Sequence, residues 1–236
     1  MEQNAQTTPP TEEEILSYMF TKEFECPVCE QKFVDFVLKK SKLRTLKVET
    51  DFHTIYKDID PNFYEVLFCT HCGYAALHSY FDKIIERQKQ MIREKISVHH
   101  SPVEFTIPLT SESAVKRYQQ ALLCADTINA KPSQKAFINL KLAWILRSAG
   151  RREHELKFLR VAYEGLKEAF STERFPIGAM DEATVKYVVA DLARRLGDMG
   201  EAMRWVGQVI VAKGIPGALK ERADVLKDLI REGNRM

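Results

Sequence analysis

No run of apolar residues in the chain approaches the roughly 20 that a bilayer-spanning helix needs, and the N-terminal stretch Met1 to Glu14 lacks the basic and apolar regions of a signal peptide. A cytosolic protein with no membrane association is therefore expected. A dominant charge is also missing: 35 basic residues face 33 acidic ones, for a net charge of +2. Nothing global draws the chain toward nucleic acid or an anionic surface, so any such binding must be local. Glycine-rich phosphate loops, GxSxG elbows and HExxH helices do not occur, which argues against the common enzyme classes. Cysteine is scarce as well, with five in 236 residues. In a reducing compartment so few thiols do not make a disulfide framework.

Four of those five cysteines nevertheless fall in two pairs, Cys26-Pro27-Val28-Cys29 and Cys69-Thr70-His71-Cys72-Gly73. Each CxxC can bring two sulfurs and nearby amides onto one ion, and four thiolates fill a tetrahedral zinc shell with no open position for substrate. The expected ligands of a structural zinc ion are thus Cys26, Cys29, Cys69 and Cys72. The 39 residues between the pairs exceed the usual zinc-ribbon spacing of about 15 to 20, and intervening strands account for the excess. Redox chemistry is disfavoured, because the first pair opens no convincing helix and the second has only His71 to depress a thiol pKa. His71 and His78 are possible substitute ligands that a complete sulfur shell does not need. Cys124, in an amphipathic helix, reads as a buried structural thiol.

The elements sort into three stretches. Residues 1–22 read as a flexible tail, to about Thr11, with a short helix from Glu12 to Met19. Residues 23–100 hold the cysteines among crowded aromatics, with strands at Lys32 to Leu38, Leu43 to Glu49 and Phe63 to Cys69, and a trailing helix from Ala75 to Ser97. Ser101-Pro102 marks the likeliest boundary. Residues 101–236 are helix after helix: one capped by Ser111 or Ser113, then Gln134 to Ala149, Arg152 to Phe170, one capped by Asp181, Glu201 to Ala212, and Ala218 to Glu232 behind Pro216. Gly150 and Gly197 separate helices whose small residues fall at tetratricopeptide positions, including Ala162 and Ala202. Glu155 breaks that pattern by standing where alanine belongs. The expected fold class is α+β, a small zinc-ribbon-like β module followed by an all-α tetratricopeptide-like region.

Two further clusters carry chemistry. Glu49 to His53, with Asp58 and Asp60, can be a second metal site or an acid/base pair using Asp51, His53 and Asp58, but a solvated loop with capping carboxylates is the favoured reading. Lys39, Lys40, Lys42, Arg44 and Lys47 form the one dense basic run; they are candidate nucleic-acid contacts, against a favoured reading as a solvated hairpin turn. His99 and His100 read as helix-end caps.

Taken together, the two knuckles, the Asp51 to Tyr56 and Pro61 to Tyr64 stretches, Cys69-Thr70-His71-Cys72-Gly73-Tyr74-Ala75-Ala76 and the helical tail resemble the bacterial family known as domain of unknown function 2225. Thr70 stands where that family's proline is expected. The resemblance implies a bacterial cytoplasmic protein with a four-cysteine module and helical repeats, and no particular reaction. The leading expectation is a non-enzymatic interaction protein that takes a protein or peptide partner. Nucleic-acid binding through the basic run and a metalloenzyme with a second site near Asp51 and His53 are the alternatives. The sequence leaves the partner and the oligomeric state open.

Overall fold

A computed structural model describes residues 11–233; most of the expected flexible tail lies outside them. Helix α1 (Glu12–Ser17) opens on a capping box, in which Thr11 accepts from the Glu14 amide and the Glu14 carboxylate accepts from that of Thr11. It stops two residues short of the expected Met19, because Met19 begins strand β1 (Met19–Glu25), which pairs antiparallel with β2 (Lys32–Leu38) in a register of Phe24 opposite Phe33. That β1 was not expected has a plain cause: Thr21, Lys22 and Glu23 break its apolar pattern.

Two more hairpins follow. Strands β3 (Thr45–Val48) and β4 (Thr54–Tyr56) form one, and β5 (Val66–Phe68) and β6 (Ala75–Leu77) the other. The strand expected from Phe63 begins only at Val66, since Asp60 caps a 3-10 turn over Pro61–Tyr64 by accepting from the Asn62 amide at 2.9 Å. Ala75 to Leu77 was expected to start a helix. It instead pairs with β5 and is buried at every residue, and the small alanines let a helix lie close against it. Only Glu86–Lys95 of the expected long helix is α-helical, as α2.

Six helices complete the described residues: α3 (Ser111–Thr127), α4 (Pro132–Ser148), α5 (Arg152–Thr172), α6 (Glu182–Arg195), α7 (Met199–Val211) and α8 (Gly217–Gly233). Neither Ser111 nor Ser113 caps α3. Thr110 does, its hydroxyl accepting from the Ser113 amide at 3.2 Å. Asp181 caps α6 as expected, through the Thr184 amide at 2.8 Å. Gly150 and Gly197 follow α4 and α6 at φ +69° and +88°, the left-handed backbone that glycine adopts without a side-chain penalty. The molecule is α+β, with the hairpins at the N-terminal end and the helices after them.

Two apolar cores meet at α4. Cys26, Cys69, Cys72 and Tyr74 share one with Ala114, Tyr118 and Cys124 of α3, and Ile138, Leu142 and Ile145 of α4 belong to it too. Ala136, Leu140 and Ala143, on the other side of α4, join α5 to α8 in the second. Residues on both sides of Ser101 therefore contribute to one core.

Candidate metal centre

Two tight turns of the same form present the cysteines. In the first, the Glu30 amide donates to the Cys26 carbonyl at 2.8 Å and the Cys26 amide to that of Gln31 at 3.0 Å. In the second, the Gly73 amide donates to the Cys69 carbonyl at 2.9 Å and the Cys69 amide to that of Tyr74 at 2.8 Å. The residue after each pair is left-handed, Glu30 at φ +62° and Gly73 at +74°. Glycine is needed at the second, because a Cβ there would lie 2.6 Å from Nδ1 of His100. His100 is thus no mere helix cap: its Nε2 lies 2.9 Å from the Thr70 carbonyl and its ring covers the second knuckle.

Within this frame the Sγ atoms of Cys26 and Cys72 lie 3.6 Å apart and those of Cys29 and Cys69 3.7 Å apart, with all four inside 4.8 Å. A tetrahedral ion about 2.3 Å from each sulfur holds its ligands about 3.8 Å from one another, so the donor set fits such an ion. Amides complete the fit: those of Val28 and Cys29 point at Cys26, those of His71 and Cys72 at Cys69, and that of Tyr74 at Cys72. The neighbouring Cys26 and Cys72 thiols hold the pKa of Cys69 down. The same contacts, led by Cys69 for Cys26 and by Cys26 for Cys72, push those two thiols up. A divalent cation replaces the protons these sulfurs otherwise share.

The surroundings lock the knuckles to helices. Arg93 of α2 donates to the Val28 carbonyl at 2.9 Å, and Gln120 of α3 to that of Gly73 at 2.8 Å. Cys124 accepts from the Ala75 amide at 3.4 Å, and burial pushes its thiol up to about 11, in keeping with an inert structural role. His71 is exposed and its Nε2 lies 3.1 Å from the Lys32 carbonyl. Among the described residues the four cysteines are the one group of three or more metal-ligating side chains that converge.

The acidic loop is not solvated. Asp51 and His53 are buried, and the loop lies against α4 and α6. Asp51 accepts from Arg147 at 2.7 Å, Trp144 at 2.9 Å and Arg195 at 3.4 Å, while Glu49 pairs with Arg147 and Arg195. Thr50 donates to Asp191 at 2.8 Å. Burial pushes both carboxyls up, but the two guanidinium groups outweigh it and hold them below their usual values. Asp58 is apart, accepting from the Tyr18 hydroxyl at 2.7 Å. Asp51, His53 and Asp58 are therefore not gathered around a vacant centre, and arginines occupy the place a second cation would take. Arg147 and Arg195 were not singled out from sequence, where a helix-end arginine looks like any other. Arg147 also explains Glu155, whose buried carboxylate takes 2.7 Å and 2.8 Å bonds from Arg147 and Arg152.

The basic run follows β2 and reaches into β3, where Lys47 lies. Lys39 donates to the Ser17 carbonyl and Lys42 to the Ser17 hydroxyl, while Lys40, Arg44 and Lys47 are exposed. Lys47 lies 3.7 Å from Glu49.

Comparison with known proteins names a family and no reaction. Residues 19–234 match the family described as an uncharacterized protein conserved in bacteria, domain of unknown function 2225. An uncharacterized protein of Borreliella burgdorferi is 26% identical over 156 residues, covering 58% of this chain and 56% of its own length. The chain thus spans little more than half of that relative. No solved structure matches. No helix among the described residues is long and apolar enough to cross a membrane.

Proposed function

Because the chain belongs to this bacterial family, whose description names no reaction, we propose from its geometry that it is a non-enzymatic interaction protein. A structural zinc ion on Cys26, Cys29, Cys69 and Cys72 clamps the two knuckles, and the clamp fixes a tetratricopeptide-like helical scaffold that takes a protein or peptide partner. The observation that carries this reading is the closed sulfur shell: four thiolates leave a tetrahedral ion no position for substrate. The left-handed glycines after α4 and α6 and the buried Ala162 and Ala202 support the repeat reading.

The partner surface is the α5 side. An open groove of about 1010 Å³ there is lined by Arg160, Tyr163, Lys167 and Glu201. A second, of about 410 Å³, shares Arg160 and adds Leu122, Pro132 and the exposed Val161. Mixed charge beside apolar surface suits a helical or extended peptide. Metal analysis of protein purified without chelator is expected to give one zinc per chain; iron, or free titration of all four thiols, defeats the clamp. Affinity purification from the native host tests the surface. A partner bound by the unaltered chain and lost with Arg160→Glu and Val161→Asp supports it, and a partner indifferent to both substitutions places the interface elsewhere.

A second reading, nucleic-acid binding, draws on a different observation: Lys40, Lys42, Arg44 and Lys47 are exposed, and Lys40 lines a cleft of about 470 Å³ with Lys22, Phe36 and Tyr64. Filter binding to RNA and single-stranded DNA at low and moderate salt decides it, since phosphate contacts must weaken as salt rises.

A further inference from the structure

Asn139 of α4 lines the groove of about 410 Å³ that α3, α4 and α5 share. It is only 4% exposed, and its Nδ2 is spent on the Lys135 carbonyl of its own helix at 2.8 Å. Its Oδ1 accepts no hydrogen bond among the described residues. The side-chain atoms there that are wholly buried and without a partner are the two His53 nitrogens, Ser97 Oγ and Arg117 Nε. Asn139 Oδ1 is not one of them, so it keeps open surface, and the groove is the open surface that Asn139 lines. A nearly buried acceptor of this kind is satisfied by water or by a donor that a partner brings.

The charges of the groove sort by whether they are already matched. Asp126 of α3 and Lys135 of α4 satisfy each other at 3.4 Å, and Glu164 of α5 lies 3.8 Å from Lys167. Arg160 and Glu168 also line the groove, are exposed, and have no ion-pair partner among the described residues. They stand on the same side of α5, since helical positions 3.6 residues apart recur on one face. Their separation along the axis is about 12 Å, at 1.5 Å per residue. An extended chain covers that distance in three or four residues of about 3.3 Å each. Gly165, between them, lets α5 approach α4 closely, because a Cβ there would lie 3.0 Å from that of Ala136.

We propose that this groove seats an extended peptide segment of the partner that carries an acidic and a basic side chain three or four residues apart. The acid pairs with Arg160, the base with Glu168, and a backbone N–H between them donates to Asn139 Oδ1. A helix suits the acceptor less well, because its amides beyond the first turn are spent on its own carbonyls. An extended strand keeps donors free. Leu122, Pro132 and Val161 receive the small apolar residues between the two charges. The inference rests on the interaction reading of the α5 side and adds the chemistry of the partner; it is independent of the zinc clamp.

Four capped synthetic peptides test it, titrated into the full-length protein by NMR with the Asn139 side-chain amide and the Gly165 backbone amide as reporters: acetyl-EAVAK-amide, its reversed order acetyl-KAVAE-amide, acetyl-EAVAE-amide and acetyl-KAVAK-amide. One of the first two is expected to bind with roughly millimolar Kd and to shift both reporters, the other showing which way the chain runs. The two single-sign peptides are expected to bind about fivefold more weakly or worse. Charge reversal at the exposed wall positions should move the preference: Glu168→Lys toward acetyl-EAVAE-amide and Arg160→Glu toward acetyl-KAVAK-amide. N-methylation of the backbone amides between the charges, one at a time, is expected to weaken binding about fivefold at one position. Asn139→Ala should bind the unmethylated peptide that much more weakly and be indifferent to that methyl group; should this variant not fold, the methylation series on the unaltered protein stands alone. No shift with either mixed-charge peptide, equal affinity for all four in the wall variants, or a methylation series without a loss overturns the proposal. If these peptides fail while a host partner is still lost with Arg160→Glu and Val161→Asp, the interaction reading stands and only this seat is overturned.

Discussion

A histidine shut away from water resists taking a proton, and His53 does so down to about 4, mainly because burial penalises its charged form, with Arg147 and Arg195 adding to the effect and Asp51 and Glu49 opposing it. Its unfolded value is 6.5, so between these values the unfolded chain binds the additional proton. Stability is then complete above 6.5 and falls as pH drops toward 4, by about 3 kcal/mol at most. Urea unfolding across that window is expected to show this slope, and His53→Phe to flatten it. Below it, Glu49 and Asp51 contribute in the same direction: their depressed pKa values make stability present above the normal carboxylate range and lost as pH falls through the lowered values. Glycine gives a second test at this scale. Gly150→Ala meets nothing within 4 Å and carries only the cost of its left-handed backbone, about 1 kcal/mol. Gly73→Ala adds a collision with His100 and is expected to cost about 2 kcal/mol or more, with some recovery in a Gly73→Ala, His100→Ala double variant, measured by thermal melting.

At the scale of elements, the tip between β3 and β4 is held by side chains from helices far along the chain. Arg147 touches Glu49, Asp51 and Glu155 at once, so truncating it takes a cationic partner from three carboxylates in a poorly solvated place. Arg147→Met is expected to cost about 3 to 5 kcal/mol, and hydrogen exchange should then show Thr45 to Tyr56 opening ahead of α4. The legibility of these elements followed the range of the forces involved. Asp181, Pro216 and the glycines after α4 and α6 act on their own neighbours, and their helices were readable to within a few residues. Ala75 to Leu77 was misread because a run of three consecutive apolar residues is too short to separate strand from helix, and the deciding influences, β5 and α3, are tertiary contacts. The same holds for Asp51: its carboxylate looked solvated because Arg147 and Arg195 are distant along the chain. The four cysteines were legible because knuckle geometry is local and their chemistry admits few roles.

Across the whole molecule, α4 is the common wall of two cores, one reaching to the cysteines and the other to α8. Loss of the clamp should therefore not stay at the N-terminal end. Cys69→Ser is expected to lower the melting temperature of the entire chain in one calorimetric transition, because α3 and α4 pack on the knuckles that the proposed ion would order. Two separated transitions, with the helices melting as in the unaltered protein, would instead show that Ser101 divides independent units. Chelation should reproduce the effect of Cys69→Ser, and restored zinc reverse it.

The hydrogen bond from Thr50 to Asp191 joins residues 141 positions apart. On a ribosome adding about 5 to 20 residues per second, about seven to thirty seconds pass between the emergence of the two. For that interval the β3–β4 tip has its acidic residues and Phe52 in water, with no helix to receive them. Completion of this hairpin thus waits until α6 has been made.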